Sequence, residues 1–344
     1  MPALRLSLVV VTYNCRDEVA RTLTALVEQL SEDDELVVVD NASSDGTAEA
    51  AQSAAPGATV VRNAANTGFA AAANTGAARA TGELLVFLNP DALPAPGFVE
   101  AITAPLREER GWSAWMGLVT AEGGRVVNTS GGVVHFTGIS WAGEAGRPTA
   151  QIEAAPHEVA FASGACLAVP RSDWVAAGGF PEHYFMYCED VDLSLRLRIA
   201  GKRIGVEPRA RVDHRYEFEK GPEKWRLLER NRWATVIRTY PPALLLLCAP
   251  ALLLAEPAIA AAALRGGWGR QKLAAAGDML ARLPSLLAER RLIQSGRVIG
   301  ACDFARWLVP EPSSPFLGRS ARSSLVRVLL RAYWRAVLAL LHAG

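Results

Sequence analysis

Three groups of residues in this 344-residue chain have the types and spacing to do chemistry. The first is Asn89-Pro90-Asp91, directly after the apolar run Leu84-Leu85-Val86-Phe87-Leu88. Proline fixes its own φ and pushes the residue before it towards extended geometry, so the flanking amide and carboxylate are held in place. A carboxylate beside an oxygen-bearing neighbour is a seat for a hard divalent cation next to a phosphate. The second group is Glu189-Asp190-Val191-Asp192, which opens a helical pattern (Leu193, Leu195, Leu197, Ile199) ending at Gly201. A helix N-terminus favours carboxylates through its dipole and free N–H groups, and capping accounts for at least one of the three. Another that faces a cleft can serve as general base. Asp190 is the choice, because Val191 is expected to face the core and turn its neighbour out; Glu189 stands beside it as a second catalytic candidate. The third is His214, which follows the short apolar stretch ending at Val212-Asp213 and is a candidate metal or phosphate ligand.

The elements that must position these groups follow from hydrophobic periodicity. Residues 6–11 read as a buried strand ending at Thr12-Tyr13-Asn14, residues 35–39 as a second ending at Asp40-Asn41, residues 59–61 as a short third, and residues 84–88 as a fourth. Helical patterns lie between them; the last, after Asn66-Thr67-Gly68-Phe69, is rich in alanine and carries Asn74. Alternating strand and helix imply a parallel sheet with helices on both faces. Polar loops then gather at one end of that sheet, with Thr12, Asn14, Asp40, Asn41, Gly68, Asn89 and Asp91 among them. This is where such a sheet binds a nucleotide. An acidic residue after the second strand suits a ribose or a base, and Gly68 lets the backbone come close to a ligand. No G-x-G-x-x-G follows the first strand and no P-loop occurs, which argues against a dinucleotide dehydrogenase and a P-loop NTPase. Residues 112–147 read as irregular strands and loops, and residues 205–208 as a last short strand.

Net charge is +1, but it is unevenly spread: from Arg265 onward there are thirteen Arg and Lys against four Asp and Glu. An acidic body with a basic tail points the tail to an anionic surface. The run over residues 243–264 is long enough to span a bilayer, but Pro250 and Pro257 are expected to break it and Glu256 lies inside it. Helices lying in or on the membrane are therefore favoured, a re-entrant or spanning segment being the second choice. From Ser324, Arg327, Arg331 and Arg335 recur at helical spacing among Tyr333, Trp334 and leucines, which suits an interface. Residues 310–315 read as a linker before that helix. The five cysteines are scattered without metal spacing, which fits a reduced cytosolic compartment and no zinc site. No signal peptide is apparent.

Taken in order, Val10-Val11-Thr12-Tyr13-Asn14, Val39-Asp40-Asn41-Ala42-Ser43-Ser44-Asp45-Gly46-Thr47, Asn66-Thr67-Gly68-Phe69, Leu88-Asn89-Pro90-Asp91-Ala92 and Tyr187-Cys188-Glu189-Asp190-Val191-Asp192-Leu193 resemble the family 2 glycosyltransferases, especially the bacterial rhamnosyltransferase-like branch. The match runs from about Ser7 to about Asn231. The resemblance implies an α/β GT-A nucleotide-diphospho-sugar transferase fold over residues 1–235, with residues 236–344 as a helical, membrane-associated region. It implies that Thr12, Asn14, Asp40 and Asn41 hold the nucleoside, with Gly68, Asn74 and Asn89 also on the donor side. Asp91 and His214 would be at a divalent metal, Mg2+ or Mn2+, and Asp190 would be the base of an inverting displacement. Asn89 departs from the family's commoner Asp, which weakens the metal seat and suggests that the cation arrives with the nucleotide. The implied partners are a nucleotide-sugar donor (dTDP-L-rhamnose is one the branch suggests), a glycan or polyprenyl-diphosphate-linked acceptor, and an anionic membrane surface, with no nucleic acid. The implied location is the cytoplasmic face of the cell membrane, peripheral or monotopic. A nucleotidyltransferase would need a Gly-rich loop with Lys or Arg near the first strand, which is absent. An inactive sugar-nucleotide-binding subunit is the remaining alternative, and intact Asp91, Asp190 and His214 count against it.

Overall fold

Apolar runs without alternation are stable only when both faces are covered, and the sheet is built from such runs. The computed structural model describes residues 4–214, 221–313 and 323–343. In chain order it begins with β1 (Leu6–Thr12), α1 (Arg16–Val27), β2 (Glu35–Asp40), α2 (Thr47–Ala54), β3 (Thr59–Arg62), α3 (Gly68–Arg79), β4 (Leu84–Leu88), β5 (Leu93–Pro94) and α4 (Phe98–Arg107). Next come β6 (Trp112–Ala121), β7 (Val126–Thr129), β8 (Gly132–His135), β9 (Ser140–Ala142), β10 (His157–Glu158), β11 (Cys166–Pro170), α5 (Arg171–Ala177), α6 (Glu189–Ile199) and β12 (Arg203–Asp213). The last third holds α7 (Glu223–Thr239), α8 (Pro242–Arg265), α9 (Gly269–Ser295), α10 (Ala301–Ala305), β13 (Leu308–Val309) and α11 (Ser324–Ala343). The described residues form two compact units, one of 4–132, 142–194 and 203–214, the other of 133–141, 195–202, 221–313 and 323–343.

The first unit is a mixed sheet in the order β10-β12-β6-β11-β4-β1-β2-β3. The strands β3, β2, β1 and β4 are parallel, as the alternation of strand and helix implies. By contrast, β11 runs antiparallel to both β4 and β6. Its reversed direction brings its entry, residues 163–165, to the edge where β1, β2 and β4 end. Residues 112–147, expected to be irregular, include the buried ten-residue strand β6. The expected short strand over 205–208 is instead the eleven-residue β12, parallel to β6. A register shift between Glu207 and Arg211 carries the strand past Pro208, which has no N–H to give to a ladder. The extra length delivers His214 to the active edge, where Asp213 pairs with Leu93 of β5.

The second unit is mainly helical. The helices α7 and α9 are joined by Arg226 with Asp278 at 2.8 Å, Arg238 with Glu289 at 2.7 Å, and Trp225 stacked on Trp268 at 4.9 Å. Contrary to expectation, α8 runs unbroken through Pro250 and Pro257. Both prolines lie on its exposed side, where a carbonyl that loses its N–H partner is not shut away from solvent. Glu256, which looked out of place in an apolar run, pairs with Arg232 at 2.5 Å and with Lys272 at 2.6 Å. The aromatics of α11 also differ from expectation. Trp334 is buried and stacks on Phe136 at 5.0 Å, and the Tyr333 hydroxyl donates to the Leu247 carbonyl. They pack inward because burying a ring against other rings gains more than leaving it at a surface. Residues 314 and 315 of the expected linker lie outside the described residues, and Pro310 is anchored, its carbonyl 3.0 Å from Nε2 of His135.

Candidate active site

All the candidate site residues belong to the first unit. At the ends of β1 and β2, the Thr12 hydroxyl donates to Oδ1 of Asp40 at 3.2 Å, and Oδ2 of Asp40 accepts the Ser43 amide at 3.2 Å. Each carboxylate oxygen keeps capacity for a further donor. Asn14 adopts φ +48°, which a short polar side chain tolerates. Its Oδ1 accepts the Ser44 amide at 2.9 Å, and its own amide donates to Oγ of Ser43 at 2.9 Å, so the two loops are zipped together.

Two of the expected donor-side residues spend their amides on the protein itself. Asn41 is 2% exposed. Its Oδ1 accepts from Asn63 Nδ2 at 3.0 Å, the Thr67 amide at 3.1 Å and the Thr67 hydroxyl at 3.2 Å. Its Nδ2 donates to Asn66 Oδ1 at 2.9 Å and to the Gly68 carbonyl at 3.2 Å. Asn41 therefore shapes the loop over 63–68. Asn74 clamps Phe180, donating to its carbonyl and accepting its amide, each at 2.9 Å. Gly68 has φ +82°, and a Cβ there would come within 2.5 Å of Phe185. The glycine thus brings backbone against Phe185, whose carbonyl accepts the Ala70 amide at 3.1 Å.

On the other side, the start of β11 ties the Asn-Pro-Asp turn to α6. The Asn89 amide donates to the Ala165 carbonyl at 3.1 Å, and the Gly164 amide donates to Oδ2 of Asp190 at 2.9 Å. Oδ1 of Asp190 accepts the Val191 amide at 2.8 Å. Val191 is buried, as argued from the sequence, and Asp190 keeps some exposure. Burial raises the Asp190 carboxyl above its usual range, against the opposing pull of the Gly164 and Val191 amides. Glu189 is 6% exposed and its Oε2 meets no hydrogen-bond partner among the described residues. Burial, with the charges of Asp190 and Asp192 added, pushes it well above the usual range. Asp192 is buried and accepts the Tyr184 hydroxyl at 3.2 Å.

Just before this helix, Phe185, Tyr187 and Cys188 have φ of +63°, +72° and +65°. Such strain in large side chains is held only where the surroundings over-determine it, and it gathers at functional sites. Periodicity gives no sign of it. The Gly164 amide is likewise a site group that no sequence signal assigns, although Ser163-Gly164-Ala165 is conspicuous before a buried strand.

Asp91 and His214 meet at the end of β4 and β12, with His214 Nε2 3.1 Å from Asp91 Oδ1. The histidine is fixed by its backbone: its amide donates to Thr120 O at 2.8 Å, and its carbonyl accepts Asn128 Nδ2 at 2.8 Å. The Asp91 side chain is 38% exposed. Among the described residues no group of three or more His, Cys, Asp or Glu forms a cage. One carboxylate and one imidazole nonetheless fit a Mg2+ or Mn2+ whose other positions are filled by phosphate oxygens and water.

The family model described as glycosyl transferase family 2 matches residues 7–172. A relative from Mycobacterium tuberculosis, N-acetylglucosaminyl-diphospho-decaprenol L-rhamnosyltransferase, is 29% identical over 255 residues, covering 67% of this chain and 83% of that protein. Rhamnosyltransferase WbbL of Escherichia coli is 40% identical over 81 residues, 22% of this chain and 30% of that protein. The solved structure of GalNAc-T7 with UDP, GalNAc and Mn2+ matches with a TM-score of 0.58 at 17% identity, over 70% of this chain and 49% of that one. At that identity the likeness speaks for the fold alone. With the strand ends, the Asn-Pro-Asp turn and the helix opening at Glu189 all on one sheet edge, these matches agree with the motif order: residues 7–172 carry a family 2 glycosyltransferase domain on a GT-A fold, and the chain is similar to rhamnosyltransferases.

Proposed function

We propose that the protein is an inverting transferase that moves L-rhamnose from dTDP-L-rhamnose to a hydroxyl of a polyprenyl-diphosphate-linked glycan at the cytoplasmic face of the membrane. The observation that carries the chemistry is the chain of hydrogen bonds from Asp190 through Gly164 and Ala165 to Asn89, which sets a carboxylate of raised pKa beside the Asn-Pro-Asp turn. The sugar and the acceptor class are supported by the mycobacterial relative, whose name makes it an L-rhamnosyltransferase of N-acetylglucosaminyl-diphospho-decaprenol. The membrane setting is supported by one helix, α8, that is long and apolar enough to cross a bilayer among the described residues.

In this reading Asp190 takes the proton of the acceptor hydroxyl as its oxygen attacks the anomeric carbon, and the nucleoside diphosphate leaves from the opposite face. Thr12 and Asp40 hold the nucleoside, with Asn14 setting the loop beside them. Asn41 and Asn74 act at one remove by fixing the loops that carry Gly68 and Phe180. Asn89 faces the sugar-diphosphate. Asp91 and His214 would hold a divalent cation, which when bound supplies positive charge to the departing diphosphate. Functionally, residues 1–235 are the catalytic domain and 236–344 the membrane-associated region; α7 crosses that boundary and belongs to the helical unit.

The test is turnover of the purified full chain with dTDP-L-rhamnose and a short-chain prenyl-diphosphate N-acetylglucosamine. Rhamnosylated product, absent with Asp190→Asn, supports the reading. Turnover only with a different sugar nucleotide would replace the donor, and no turnover with any would favour the binding-subunit alternative.

A further inference from the structure

Among the described residues the helical unit leaves three apolar stripes uncovered. On α8 the exposed side runs Ala243, Leu246, Pro250, Leu253, Leu254, Pro257 and on to Leu264, without a polar residue. Leu246, Leu253, Leu254 and Leu264 are each more than two-thirds exposed, and a contiguous apolar patch, unlike a scattered surface leucine, marks an interaction site. On α9 the exposed side carries Leu273, Gly277, Leu280, Pro284 and Leu287. On α11 it carries Leu325, Val328, Leu329, Ala332, Ala336 and Leu340.

Charge on the same unit is lopsided. All seven Asp and Glu of the described residues from 221 onward are in ion pairs. Arg265, Arg270, Arg291 and Arg335 are exposed and find no carboxylate among the described residues. Apolar stripes accompanied by surplus arginine complement a bilayer with anionic headgroups, where hydrocarbon takes the leucines and phosphate takes the guanidinium groups.

The depth is set by what lies behind α8. Its other side is fastened to the unit by buried Leu244, Cys248 and Leu252. Near the middle, Glu256 pairs with Arg232 and Lys272, both of which also pair with Glu229. If α8 crossed the bilayer, these four charged groups would sit in hydrocarbon, a placement that membrane proteins reserve for functional pathways. The prolines argue likewise. Pro250, Pro257 and Pro284 have no N–H to give to the carbonyls of Leu246, Leu253 and Leu280, on the exposed sides. Such carbonyls are tolerable at the headgroup level, where water and arginine reach them, and costly in lipid tails.

We propose that the exposed sides of α8, α9 and α11 form an interfacial docking surface for an anionic bilayer, with α8 lying in the membrane plane and not crossing it. This deepens the reading of a membrane-linked acceptor and rests on it. The full chain is tested by flotation with vesicles of phosphatidylcholine alone or with phosphatidylglycerol, at low and high salt. Three proteins are compared: wild type, a leucine variant (Leu254→Glu, Leu280→Glu, Leu329→Glu), and an arginine variant (Arg270→Gln, Arg291→Gln, Arg335→Gln). Melting curves and dTDP binding check that each is folded.

The expected result is that wild type floats with anionic vesicles, partly even at high salt, and is released at alkaline carbonate pH. The leucine variant should lose at least ten-fold of the bound fraction at both salts, and the arginine variant mainly at low salt. A folded leucine variant that floats like wild type overturns the surface while leaving the membrane reading intact. Wild type that floats with no vesicle overturns the membrane reading itself. Resistance to carbonate overturns the in-plane placement. A wild-type dimer in lipid-free solution that the leucine substitutions dissociate, without vesicle binding, would assign the surface to a second copy of the chain.

Discussion

The Gly164 amide donates to Oδ2 of Asp190 at 2.9 Å, and this bond joins the acceptor-side helix to the sheet edge that carries Asn89 and Asp91. It orients one carboxylate oxygen, while the partial burial around it raises the energy of the charged form. Asp190→Asn keeps the shape and removes the base. It is expected to lower the rate by about 10²–10⁴-fold and to leave dTDP affinity within a few-fold. Because the Asp190 pKa lies above its usual value, turnover should fall on acidification at a higher pH than an ordinary aspartate would give, and single-turnover rates across pH check both effects. Near-normal turnover by Asp190→Asn would reduce Asp190 to a helix cap.

Glu189 offers a contrasting case. Its folded-state pKa is raised above the ordinary value of 4.5 by burial and by neighbouring carboxylates. The folded protein therefore binds this proton more tightly than the unfolded chain. The resulting stability is fully present below the unfolded value and is lost as pH rises through the raised one. Glu189→Gln removes that dependence. It should raise the melting temperature at pH 7.5 relative to wild type, with the gain shrinking towards pH 4. Loss of turnover in a stabilised Glu189→Gln protein would return Glu189 to the catalytic set.

Asp91→Ala is expected to weaken dTDP binding in Mn2+ and to leave it unchanged in EDTA, since the lost oxygen acts through the cation. His214→Ala should behave alike, and the double variant should lose less than the sum of the two, as partners on one ion do. Titration calorimetry with and without metal decides the matter. The same affinity gap in both conditions would show that Asp91 touches the nucleotide or merely holds the loop.

Gly68→Ala tests the close approach between the donor loop and Phe185. The left-handed backbone alone costs about 1–2 kcal/mol for a residue with a Cβ. The contact that the new Cβ would make with Phe185 adds to that. A melting temperature lower by several degrees is expected, together with a larger KM, because the loop over 63–68 must shift. An unchanged KM would separate this loop from donor binding.

The parts of the fold that are local were open to inspection in the chain. The apolar runs ending in Thr12, Asp40 and Leu88 are buried parallel strands, the short run ending in Arg62 is the half-exposed edge strand beside them, and their polar followers share one edge. Asp91 and Asp190 were accessible for the same reason: a proline and a buried neighbour constrain them from within two residues. The role of Asn74 was not, because the backbone it clamps lies 106 residues away. Nor was the continuity of α8, since a helix tolerates proline only according to which side of it faces out.

What the sequence by itself determined, then, is the set of strands and the chemistry at their ends, since burial of an apolar run and the stiffness of proline act over a few residues. Tertiary structure alone decided the rest. The antiparallel entry of β11 brought the Gly164 amide to Asp190, and the register shift in β12 placed His214 3.1 Å from Asp91. It also filled the acceptors of Asn41 from within the protein, and balanced Glu256 with Arg232 and Lys272. Each of these depends on which distant group arrives at a fixed point in space, and a hydrogen bond or ion pair has no counterpart in periodicity until both partners are placed.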